Sequence, residues 1–168
     1  MAGDNHFSLF GLPARFALDD AALEAAWRDV AARVHPDRFA TASAVERRVA
    51  MQWAARANEA YRVLRDPMQR ARYLCEQAGV DLQTESNTSM DGAFLMQQME
   101  WRELLDDARQ DAQARERLDA ELQAARQAMR QQLVGLIDER QDHVAAARKV
   151  REWMFIEKLA QELAAIQP

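Results

Sequence analysis

Few side chains in this 168-residue sequence can do chemistry, and most of them stand apart. The histidines are His6, His35 and His143, and the lone thiol is Cys75. His35 and Asp37 flank Pro36 in a His-Pro-Asp tripeptide, expected by chance in a chain this long with a probability of about 1%. Two chemistries are open to it. An imidazole and a carboxylate two residues apart can act as an acid–base pair, with Cys75 as a remote nucleophile. Alternatively, the proline stiffens a bend and holds Asp37 outward to pair with a partner's arginine. A plain helix-ending turn, with Asp37 capping locally, stays open beside both. Catalysis draws little support, because a cysteine on an apolar helical face with Met68, Ala71 and Leu74 ordinarily serves packing. No HExxH helix or glycine-rich phosphate loop occurs, and His35 with Asp37 lacks nearby residues to complete a metal site. The expectation is no enzymatic activity, no cofactor and no metal.

The chain around these residues is patterned for helices. Hydrophobic residues make up 49% and charged residues 29%, while only 5 Gly and 4 Pro supply turns, too few for a sandwich or barrel. A helix capped by Asp19 or Asp20 carries Leu23, Trp27, Val30 and Val34 at helical spacing. It must stop by His35, since proline disfavours helical dihedrals in the residue before it. A second helix restarts at Thr41 or Ser43 and turns Val45, Val49, Trp53, Ala57, Ala60, Tyr61 and Leu64 towards the core. The two should form an antiparallel hairpin with His35-Pro36-Asp37 in its loop. Short helices at His6 to Leu12 and from Pro67 complete a first domain, residues 1–78. Residues 79–92, polar from Thr84 to Ser89, read as a linker. Residues 93–168 read as a three-helix bundle: Ala93 to Asp111, then Leu118 to Leu133, then a helix holding Ile156, Leu159, Leu163 and Ile166.

Charge and hydropathy exclude several roles. Residues 1–78 carry 11 Arg and 10 acidic residues, whereas residues 79–168 carry 11 basic and 17 acidic ones. A net charge of −5 argues against nucleic acid as partner. No apolar run of about 18 residues is present, so no membrane association is expected. The Met1 end lacks a basic-then-apolar leader, and with one cysteine the pattern points to a cytoplasmic protein.

The first bundle helix leaves a surface uncommitted. With Leu95 at zero and about 100° per residue, Phe94, Gln97, Trp101, Leu104, Leu105 and Ala108 fall between about 180° and 280°, wide enough to face a core. Leu95, Met99 and Met96 fall near 0°, 40° and 100° on the other side. Glu100, Glu103 and Asp107 border them at about 80° to 140°. An apolar patch with flexible methionines and an acidic rim is what a protein partner needs; packing of Leu95 and Met96 beneath the linker or against the first domain is the alternative. Phe155, one residue off the last helix's stripe, either reaches the patch or belongs to the core. The patch is small, so a monomer is expected.

His35-Pro36-Asp37 between two amphipathic helices resembles the J-domain signature, supported by Tyr61-Arg62-Val63-Leu64-Arg65-Asp66-Pro67, Arg70 and Tyr73. Leu9 to Phe16, His35 to Ala40 and Ala93-Phe94-Leu95-Met96 narrow the resemblance to the HscB family, J-type co-chaperones of iron–sulfur cluster assembly, over nearly the whole chain. The resemblance implies an all-α fold and two binding tasks. His35, Pro36 and Asp37, with Arg28, Arg33 and Arg38, would engage a DnaK-type ATPase chaperone, HscA, and stimulate ATP hydrolysis. Leu95, Met96, Met99, Glu100, Glu103, Asp107 and Phe155 would hold the cluster scaffold IscU. Two departures, Val34 for the usual Tyr and Arg38 for the usual Lys, keep the local character. A general J-type chaperone for unfolded clients and a structural helical adaptor remain as alternatives.

Overall fold

The computed structural model describes residues 5–82 and 90–166, and every regular element among them is helical, as the sequence predicts. The chain divides into two compact units, Met1–Leu74 and Cys75–Pro168. The division falls within the helix Pro67–Gln77, a few residues before the expected boundary at residue 78. The polar stretch 84–89, expected as linker, lies outside the described residues.

In the first unit, α1 (His6–Leu9), α2 (Asp20–Arg33), α3 (Ala44–Arg65) and α4 (Pro67–Gln77) begin where the sequence supplies caps. Asp19 accepts from the Ala21 and Ala22 N–H groups at the start of α2. Ser43 and Glu46 satisfy each other's backbone donors at the start of α3, a reciprocal capping box. The Asp66 carboxylate accepts from Met68 N–H at 3.0 Å, with Pro67 at the first helical position of α4, where its missing donor costs nothing. Gly11, at φ +64°, makes the left-handed turn after α1 that a side chain would resist.

One cross-helix contact sets the hairpin register. Trp27 of α2 stacks on Tyr61 of α3 with centroids 4.5 Å apart, and its Nε1–H donates to Asn58 Oδ1 at 3.1 Å. An antiparallel pair in that register brings the end of α2, Arg33, level with about residues 52–55 of α3. Because α2 has 14 residues and α3 has 22, the first turns of α3 run beyond α2's end. The sequence expectation of one continuous core stripe on α3 therefore fails at its N-terminal half. Val45 is 66% exposed, Val49 46% and Trp53 40%, while Ala50, Ala57, Ala60 and Leu64 are buried. Of the α2 stripe, Leu23 is fully buried and Trp27, Val30 and Val34 are partly so.

Arg70 on α4 is the buried polar anchor of this unit. Its Nε–H donates to the Phe16 carbonyl at 2.8 Å and one terminal nitrogen donates to the Leu64 carbonyl at 2.6 Å, with the guanidinium over the Phe16 ring. It thus ties the segment before α2 to the end of α3.

In the second unit, α5 (Gly92–Ala108), α6 (Ala112–Leu133) and α7 (His143–Ala164) form the expected bundle. The helix expected to run to Asp111 stops at Ala108, because the Asp111 carboxylate caps α6 by accepting from Gln113 N–H. A π-helical stretch, Val134–Glu139, follows α6 and leads through Gln141, at φ 51°, into α7. Polar contacts order the bundle. Trp101 donates to Glu121 at 3.1 Å between α5 and α6, and Arg126 donates twice to Glu157, at 2.6 and 2.8 Å, between α6 and α7. Phe94 meets Phe155 and Arg102 meets Glu162, so α5 and α7 run parallel with α6 opposed to both. Leu118, Leu122, Leu133, Val150, Ile156 and Leu159 fill the interior.

Two stability predictions follow from these anchors. Replacing Arg70 by Met leaves buried carbonyls of Phe16 and Leu64 short of a donor, a loss of about 2–3 kcal/mol; urea denaturation of the Arg70→Met protein checks it. Burial pushes the Glu157 carboxyl up, but hydrogen bonds from Arg126 and Trp153 outweigh it and hold the group below the ordinary 4.5. A depressed folded value means that Glu157 stabilises the fold fully above its unfolded pKa and loses that contribution as pH falls through the folded one. Between about pH 5 and pH 3 the Glu157→Gln protein should therefore lose stability less steeply than the parent, as thermal melts at each pH will read.

Candidate functional site

The first candidate site is the turn between α2 and α3. Proline at 36 ends helical geometry at His35, whose backbone is extended at φ −61° and ψ 137°, and a short 3-10 turn, Pro36–Phe39, follows. The His35 ring caps that turn, its Nδ1 accepting from Asp37 N–H at 3.2 Å, which leaves Nε2 as the ring's donor. Local capping is thus done by His35 rather than by Asp37. The Asp37 side chain is 93% exposed, and its carboxylate stands 3.6 Å from His35 Nδ1, too far for a hydrogen bond. The carboxylate faces water, ready for an external cation.

The arginines named with this turn are all exposed but do not share one face. Arg28 bridges Glu24 at 2.7 Å and Arg33 bridges Asp29 at 3.0 Å, each one turn back on α2. They stand about 140° apart around the helix axis. Arg38 is exposed on the 3-10 turn itself.

The acid–base reading with Cys75 has no geometry behind it. Cys75 is buried, and desolvation together with nearby Glu76 pushes its thiol up to about 11, so it is protonated at neutral pH. Among the described residues no cluster of His, Cys, Asp and Glu is placed to hold a metal ion, and no helix is long and apolar enough to cross a membrane.

The second candidate site lies on α5. Phe94, Trp101, Leu105 and Ala108 are buried in the bundle, and the opposite side stays bare: Leu95 is 44% exposed, Met96 66% and Met99 67%. Glu100, Glu103 and Asp107 are exposed as well. The bundle neighbours divide this surface into two flanks. On the α7 flank, Phe155 is half-buried, edge-on to Phe94 with centroids 6.0 Å apart, and Arg102 lies over its ring at 5.4 Å. Arg102 falls at about 340° on the α5 wheel, next to Leu95, so Phe155 packs on the core and also borders the apolar patch. On the α6 flank, Glu100, Glu103 and Asp107 line a groove with Trp101, Leu104, Arg117, Glu121, Ala124 and Ala125. Arg102, Arg117 and Glu121 escape a reading of single helices, because their part is set by the register between helices. Arg102's wheel angle beside Leu95 was the one legible signal.

A helical hairpin with a water-facing His-Pro-Asp turn, joined in one chain to a three-helix bundle, is the architecture of a J-type co-chaperone. The comparisons with known proteins agree. A family model described as the HSCB C-terminal oligomerisation domain matches residues 90–164. A co-chaperone protein HscB homolog of Bordetella avium is 76% identical over 168 residues, spanning 100% of both chains. Another, of Burkholderia multivorans, is 55% identical over 164 residues, covering 96% of this chain and 93% of the relative. The solved structure of chaperone HscB from Vibrio cholerae superposes with a TM-score of 0.81 at 40% identity, covering 96% of each chain. Human co-chaperone protein HscB shares the fold at a TM-score of 0.89 and 22% identity, over 98% of this chain and 82% of that one. The chain belongs to the HscB family of co-chaperones.

Proposed function

We propose that this co-chaperone acts in the cytoplasm in iron–sulfur cluster assembly: its first unit stimulates the ATPase of a DnaK-type chaperone of the HscA kind, and its second holds the scaffold protein IscU for delivery. The observation that carries the reading is the water-facing carboxylate of Asp37 on a proline-stiffened turn. A carboxylate in that state keeps its full capacity for a bidentate pair with a partner's arginine, and the fixed turn lowers the ordering cost of making it. His35 and Pro36 act by shaping the turn, and Arg28, Arg33 and Arg38 add charge around it. On the bundle, Leu95, Met96 and Met99 provide desolvatable contact area, with Phe155 at its edge. Glu100, Glu103 and Asp107 select a basic surface and speed its approach.

One pair of variants tests both tasks. Asp37→Asn keeps shape and removes the charge, so it should abolish ATPase stimulation while circular dichroism and thermal stability stay as in the parent, and scaffold binding persists. Leu95→Ala with Met99→Ala removes exposed side chains only, so it should leave the fold and the scaffold-free ATPase stimulation intact. Its scaffold affinity should fall about tenfold or more by calorimetry, since two apolar contacts of this size are worth at least that factor. Phe155→Ala, measured separately, should weaken scaffold binding and also lower stability, because its ring packs on Phe94. Full stimulation by Asp37→Asn would refute the ATPase reading.

A further inference from the structure

The first turns of α3 carry an exposed apolar stripe that the hairpin does not use. Val45, Val49 and Trp53 are 66%, 46% and 40% exposed, and they repeat every four residues along one side of the helix. Arg56 falls on the same side at about 20° from Val45, and its guanidinium lies over the Trp53 ring at 4.8 Å. Trp53 and Arg56 also line a small hollow with Asn5, Ser8 and Leu9 of the α1 region, so the stripe continues onto a second element. An apolar run of this length, left bare by the short α2, is more than scattered surface hydrophobics.

Charge says what kind of surface covers it. The residues of α2, Asp20–Arg33, hold two arginines against three acids. Those of α3, Ala44–Arg65, hold five arginines against two acids. Arg47, Arg48 and Arg56 are exposed; with Val45 at zero, Arg48 at about 300° and Arg56 at about 20° border the stripe, whereas Arg47 at about 200° lies on the far side. The positive field of this unit is therefore centred on α3 rather than on α2. The same end of α3 adjoins the turn that carries Asp37: the 3-10 turn packs against α3, and Ser43 caps it six residues after Asp37.

We infer that the Val45–Val49–Trp53 stripe, with its arginine border, is a second docking surface of this unit, seated on an acidic, apolar-bearing face of the same ATPase chaperone. The inference rests on the proposed ATPase reading. In it, Asp37 makes the short contact that triggers hydrolysis. The α3 stripe supplies affinity: valines and tryptophan lose water against apolar side chains, and the arginines meet carboxylates.

The test titrates each variant against a DnaK-type ATPase and separates the half-maximal concentration from the maximal rate. Val45→Asp with Val49→Asp should raise the half-maximal concentration about tenfold while the maximal stimulation is retained. Val45→Ala with Val49→Ala, which adds no charge, should shift it in the same direction by a smaller factor and serves as the readout if the aspartates disturb the helix. An unchanged half-maximal concentration in both variants overturns the inference, as does a collapse of the maximal rate at unchanged half-maximal concentration. Sedimentation of the parent and the variants forms a second arm: self-association of the parent that the variants lose would assign the stripe to a second copy of this chain and overturn the inference too. Asp37→Asn run in parallel keeps the two readings apart. If it still stimulates, the ATPase reading fails. If it is inactive while the valine variants titrate like the parent, only the stripe proposal fails.

Discussion

The register between α2 and α3 decides what the first unit can offer another protein. Trp27 against Tyr61 and Asn58 aligns the two helices, and the eight-residue difference in their length then leaves α3 running past its neighbour. Proline at 36 must turn the chain at the end of the shorter helix, so the His-Pro-Asp turn and the bare start of α3 meet at one end of the hairpin. Arg70 supports this arrangement from within by tying the segment before α2 to the last carbonyls of α3.

Each unit fills its interior with a mixture of large and small side chains: Phe7, Phe16, Leu23 and Leu64 with Ala50, Ala57 and Ala60 in the first, and leucine, isoleucine, valine and tryptophan with Ala108, Ala114, Ala146 and Ala147 in the second. Both leave apolar groups in water, and the charge beside them differs in sign: arginine around the α3 stripe, carboxylate around the α5 patch. A chain with surfaces of opposite character can hold two different partners without one competing for the other's seat.

Much of this was legible before any coordinates. The helix starts near Asp19 or Asp20, at Thr41 or Ser43 and at Pro67, and the stop before Pro36, were readable because each rests on one local rule of backbone geometry. The α5 wheel separated Phe94, Trp101 and Leu105 from Leu95, Met96 and Met99 because a 100° step is a property of the helix alone. What escaped the sequence depends on partners. A wheel shows which face of α3 is apolar but not that α2 ends too soon to cover Val45 and Val49. The long start of α7 escaped because its buried positions, Ala146 and Ala147, give a weak hydrophobic signal. Asp111 separates α5 from α6, which the pattern alone does not show, since an aspartate suits a loop and a helix start alike. The pairing of Arg28 with Glu24 and of Arg33 with Asp29 is of the local kind, since four-residue spacing on one helix makes these side chains neighbours.

In the proposed function, one chain couples an ATPase trigger to a cargo seat. Steady-state ATP hydrolysis by a DnaK-type chaperone, measured with the co-chaperone alone, the scaffold alone and both together, tests it most directly. Coupling predicts a rate with both present well above the sum of the separate increments. A rate equal to that sum would contradict the account.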